Sequence, residues 1–121
     1  MIKILAAAAV LASTGAAAQS ITVFANSPEG LGANSIMNGD YVSAEKQIQS
    51  ADVSPFDPAR QINLGVVLAM TGRGAEAQKL FHQVLVEDAV DVTVASGATI
   101  SSHDAAERAL NYFGERAVAL K

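Results

Sequence analysis

The sequence predicts a mainly α fold, in which about one and a half helix hairpins stack, followed by a short β-hairpin and a C-terminal capping helix. Three observations predict it. Gly39-Asp40-Tyr41 with Ala44-Glu45 recurs as Gly72-Arg73-Gly74 with Glu76-Ala77, so that Gly39 matches Gly72 and Ala44 matches Ala77. Repeats spaced in the thirties imply stacked supersecondary units. Apolar residues between Pro58 and Val86 recur three and four apart, the helical period, whereas Val90, Val92 and Val94 alternate with Asp91 and Thr93, the period of a strand.

Residues 1–18 are unlike the rest. Lys3 supplies a positive charge, Ile4 to Ala12 are apolar and alanine-rich, and Ala16-Ala17-Ala18 precede Gln19. A positive start, an apolar core and an A-x-A site are the parts of a secretory signal peptide. The apolar run is shorter than the roughly 20 residues of a membrane-spanning helix. Cleavage is expected after Ala18, with export to the periplasm or exterior. No integral membrane segment is expected after that cleavage, since no second long apolar run follows.

Residues 19–33 form an extended arm. Ile21 to Phe24 are β-prone, and Asn26-Ser27-Pro28-Glu29-Gly30 marks a turn. Residues 34–88 carry the helical repeats. A short first helix is expected near Gly32 to Asn38, and a second begins after Gly39-Asp40-Tyr41 and runs to Ala51. Pro55-Phe56-Asp57-Pro58 stops one helix and opens the next. Asp57 is the expected N-cap, and Pro58 suits a first turn, where its missing N–H has no partner to lose. The helix from Pro58 ends near Met70, because Gly72 enters the left-handed cap at little cost. Its partner runs from about Ala75 to Val86, with Ala77, Phe81 and Val84 on one face. Gly65 and Ala77 are small and let the two backbones approach.

Residues 89–121 hold the β-hairpin and the last helix. Val90 to Val94 form one strand, Ser96-Gly97 the turn, and Thr99-Ile100 the return. Strands this short must pack on the helices. Ser101, with Asp104 three residues on, resembles a capping box. The helix it opens carries Ala105, Ala109 and Phe113 on one stripe and is expected to run to about Phe113.

The segment Pro58–Ala89 resembles a tetratricopeptide repeat. Asn63-Leu64-Gly65 supplies a Leu-Gly pair, Gly72-Arg73 the turn, Glu76-Ala77 the Glu-Ala pair, and Phe81 and Val84 the packing positions that follow. Gly39 to Ala51 is similar to the second half of another repeat. Gln61 stands where the family favours Trp, Gly74 where Tyr is common, and Ala89 where Pro closes the repeat. The resemblance implies protein–protein recognition through the concave face, which comes largely from the first helix of each hairpin. By position those residues are Ala59, Ile62, Val66, Ala69 and Met70. Ile62, Val66, Ala69 and Met70 are therefore the candidate protein-binding residues. Two alternatives stand. A free groove shows Ile62 and Val66 to water and takes a partner's helix or peptide. A self-contained domain covers them with its own arm or last helix.

Composition bounds the chemistry. The chain has 121 residues, no cysteine and a net charge of −4, and loss of Lys3 with the leader makes it more negative. Disulfides are excluded, and an acidic chain is a poor match for nucleic acid. No catalytic constellation, metal site or cofactor is expected. His82 and His103 are far apart in sequence and read as helix-surface residues. Gly72-Arg73-Gly74-Ala75-Glu76-Ala77 has the G-x-G-x-x-A shape of a dinucleotide turn, but a helix precedes it where a strand is required. Ser101 and Ser102 lack the strand-to-helix elbow of a nucleophilic serine. Glu87, Asp88 and Asp91 lack EF-hand spacing and read as a solvated acidic loop. The expected function is that of an exported interaction module, an adaptor or scaffold in the cell envelope with an unknown protein or peptide partner. The alternative is a structural or accessory subunit of an envelope complex, or of a homo-oligomer, with no free ligand groove.

Overall fold

A computed structural model describes residue 18, residues 20–24 and residues 30–119, with side chains through Gly114. The signal-peptide segment therefore lies outside the described residues, apart from Ala18. The fold is mainly helical with one small antiparallel sheet. In chain order it runs β1 (Val23–Phe24), a 3-10 turn (Gly30–Gly32), α1 (Ala33–Met37), α2 (Tyr41–Ser50), α3 (Pro58–Met70), α4 (Gly74–Val86), β2 (Asp91–Val94), β3 (Thr99–Ser101) and α5 (Ser102–Ala119). Among the described residues no helix is long and apolar enough to cross a membrane.

Local chemistry sets the helix ends. Asp40 caps α2 by accepting from the Ser43 N–H at 3.1 Å, and Asp57 caps α3 by accepting from the Arg60 N–H at 3.0 Å. Pro58 occupies the first turn of α3, as expected. At the other end the chain turns through Gly72 at φ 82°, so that the Arg73 N–H returns to the Leu68 carbonyl at 2.9 Å. The Ser101 hydroxyl accepts from the Asp104 N–H at 3.0 Å, which forms the hydroxyl half of the expected capping box. The last helix continues to Ala119, past the Phe113 at which the apolar stripe ends.

Helices α3 and α4 pack as an antiparallel hairpin, and α5 lies against α4. A Cβ on Gly65 of α3 would stand only 2.5 Å from Phe81 Cε1 of α4, so the absent side chain is what lets the aromatic ring lie against the α3 backbone. Phe81 in turn stacks on Phe113 of α5, with centroids 6.2 Å apart and planes 5° from parallel. The core thus runs through three helices on one aromatic column. Ala105, Ala109 and Phe113 all face inward, as their spacing predicts.

The sheet has the order β1-β2-β3, both pairings antiparallel. Val23 lies opposite Val94, and Val92 lies opposite Ile100. Along β2 the valines are buried and Asp91 and Thr93 exposed, so the alternation in the sequence maps onto two faces. The third strand was not expected. The described part of the segment read as an extended arm is built into the core, with Ile21, Thr22, Val23 and Leu31 all buried. Besides its pairing with β2, one side chain ties it there, Asn63. Its Oδ1 accepts from the Val23 N–H at 2.8 Å, and its Nδ2 donates to the Val23 carbonyl at 2.7 Å and the Leu31 carbonyl at 3.0 Å. The carboxamide stands in for a neighbouring strand on the outer edge of β1. Leu31 itself sits at φ 49°, between glycines at 58° and 75°. A branched side chain in this left-handed region is strained, and its burial beside the Asn63 bond holds it there.

Candidate interaction surface

The residues predicted to bind a partner divide in two. Ile62 and Val66 are 0% exposed and belong to the hydrophobic core, whereas Ala69 and Met70 are half-buried at its margin. Of the two alternatives, this is the arrangement of a self-contained domain, in which Ile62 and Val66 are covered by the chain's own elements and not shown to water. The cause is topological. α4 packs along α3, α5 reaches it, and β1 and the 3-10 turn dock on it through Asn63. The chain covers this face of α3 with its own elements, and a partner has no access to Ile62 or Val66.

Helix α2 and the α3–α4 turn are joined by a charged contact. Arg73, in the α3–α4 turn, makes a two-pronged pair with Glu45 of α2, Nη1 to Oε2 at 3.0 Å and Nη2 to Oε1 at 2.5 Å. The hydrogen bond from Arg73, opposed by partial burial and assisted by its charge, holds the Glu45 carboxyl below its ordinary value. The Asp40 carboxyl is also lowered, by its hydrogen bonds with Ser43. Both groups serve the scaffold.

What remains for recognition is the outer surface. The segment from the end of α4 to the start of β2 forms a ridge, Val86-Glu87-Asp88-Ala89-Val90-Asp91. Val86 is 77% and Val90 46% exposed, and Asp88 and Asp91 are exposed beside them. The ridge is held firmly from below. His103 Nε2, as the donor, meets the Glu87 carbonyl at 2.7 Å. The Ser102 N–H donates to the Val90 carbonyl at 2.7 Å, and the Val90 N–H returns to the Ser102 hydroxyl at 3.0 Å. His103 is thus a structural tie rather than a free surface residue, while His82 is exposed. One carboxylate oxygen of Glu87 is buried with no hydrogen-bond partner among the described residues. Glu87, Asp88 and Asp91 do not converge, and no cluster of histidines and acids placed to hold a metal ion occurs among the described residues.

No protein-family pattern, no curated protein and no solved structure matches the chain.

Sequence reasoning missed Asn63 and the ridge. For Asn63 a signal was present: a short polar side chain, poor in helix interiors, stands inside the apolar run Ile62 to Met70. For the ridge the acids were noted, Val86 was assigned to the end of a helix and Val90 to a strand. Only the position of Val86 past the last buried turn of α4 frees its side chain.

Proposed function

We propose that the chain is an exported interaction module of tetratricopeptide-like build that meets its partner through the Val86–Asp91 ridge. The observation that carries this is the pairing of exposed Val86 and Val90 on a backbone pinned by Ser102 and His103. Large apolar side chains fixed in water are a contact surface in waiting. Burying each would contribute about 1.5–3 kcal/mol. The exposed Asp88 and Asp91 favour a partner that presents hydrogen-bond donors and positive charge around an apolar centre.

The test pairs cross-linking in a cell-envelope extract with thermal denaturation, on the parent and on a Val86→Glu, Val90→Glu variant. A partner captured by the parent, weakened by added salt, and lost from a variant with the parent's melting curve supports the ridge. Undiminished capture by the folded variant rejects it. Export is tested separately by N-terminal sequencing of the envelope fraction, where a chain starting at Gln19 is expected. A full-length chain in the cytoplasm would reject that part.

The burial of Ile62 and Val66 favours a second reading, a permanent subunit of an envelope complex or homo-oligomer with no free groove. Sedimentation equilibrium of the purified chain distinguishes the homo-oligomer. A monomer at all concentrations leaves only the hetero-complex.

A further inference from the structure

A cleft of about 340 Å³ opens between the β2–β3 hairpin and α5. Its walls are Ile21, Val94 and Ile100, and its polar contributions include Arg108, Tyr112 and Ser96. Arg108 and Tyr112 are four apart on α5, so they share a face one turn from each other. Asp104 lies one turn before Arg108, at the spacing where an acid and an arginine pair on a helix. They do not pair here. Among the described residues no carboxylate forms an ion pair with Arg108, which lines the cleft. Tyr112 makes an edge-to-face contact with Phe113 at 5.1 Å and also lines the cleft.

An arginine and a tyrosine together with aliphatic side chains in one lining are complementary to one kind of ligand. The fork of an arginine matches a carboxylate's two oxygens, and the valine and isoleucines match a short hydrocarbon tail. The volume lies at the lower end of small-molecule sites, roughly 300–1,000 Å³, which suits a free acid better than several residues of a peptide. We propose that this cleft binds a small aliphatic monocarboxylate, its carboxylate on Arg108 and Tyr112 and its tail against Ile21, Val94 and Ile100. The site is separate from the Val86–Asp91 ridge and does not depend on it.

Octanoate titrated into the full chain, followed by amide and methyl NMR shifts, tests the proposal. Saturable shifts at Ile21, Val94, Ile100 and Tyr112 are expected, with no response to octanamide, which has the same tail and no charge. Arg108→Gln should weaken octanoate by about tenfold to a hundredfold, the worth of a hydrogen bond to a charged group. Arg108 is exposed, so that variant keeps the fold, and its unshifted amide spectrum away from α5 verifies this. Tyr112→Phe, which retains the contact with Phe113, should weaken binding by a smaller factor. Equal shifts with octanoate and octanamide would overturn the proposal, because the tail alone would then be read. So would binding unaffected by Arg108→Gln. Response to an acetylated tripeptide ending in leucine, with none to octanoate, would overturn it in favour of a peptide terminus.

Discussion

At the scale of single residues, the two most constrained positions are a missing side chain and a polar one. Gly65→Ala places a methyl group where Phe81 already stands. Because Phe81 is stacked on Phe113, the ring cannot retreat without disturbing α5. The expected cost is about 1–3 kcal/mol, that of overpacking a filled core, seen as a lowered thermal midpoint by circular dichroism. Gly65→Leu should cost more, and a midpoint equal to the parent's would contradict the packing described. Asn63→Leu strands one N–H and two carbonyls that the carboxamide now serves. Each buried group left unsatisfied costs about 1–3 kcal/mol, so urea midpoints should fall clearly and amide exchange at Val23 should accelerate. The role of Gly65 was legible, because a glycine inside a strong helical pattern asks for a close neighbour. That of Asn63 was only half legible. Its polarity in an apolar run is visible in one dimension, but the strand it serves is brought to it by the fold.

At the scale of elements, the helices of the hairpin were the most legible part. Asp57, Pro58 and Gly72 mark the ends of α3 with local chemistry that needs no tertiary partner. The valine alternation of β2 is equally local. β1 was not legible as a member of a sheet, since two residues carry no periodicity and their pairing is made by β2 and Asn63 together. The ion pair between Glu45 and Arg73 joins α2 to the next hairpin and gives that junction a pH dependence. Because the Glu45 carboxyl titrates below its ordinary 4.5 in the folded chain, the unfolded chain takes up the proton first as pH falls. The contribution is therefore complete above the ordinary value and is lost as pH drops through the folded one. Urea midpoints measured from about pH 6 to about pH 3 should decline, less steeply in Glu45→Gln. Added salt should lessen the difference, as for any partly exposed pair.

At the scale of the whole molecule, the sequence left open whether Ile62 and Val66 line a groove or a core, because a helix's apolar stripe does not say what covers it. Ile62 and Val66 have the spacing of a groove and the surroundings of a core. The covering elements come from both chain ends, β1 from one and α5 from the other. Ile62→Glu accordingly should unfold the chain, with loss of the helical circular dichroism signal, where a groove residue would have tolerated the change. Loss of that signal is also expected if Ala77, fully buried against the hairpin, is replaced by Trp. The link between Val23 and Asn63 has a further consequence, one of time. The two residues are 40 apart in sequence, and a chain made from its N-terminus delivers Val23 well before the side chain that will hold it. At ribosomal speeds of about 5–20 residues per second the wait is roughly 2–8 s. Through that interval, and until β2 follows, the first strand has neither of the partners that hold it in the folded chain.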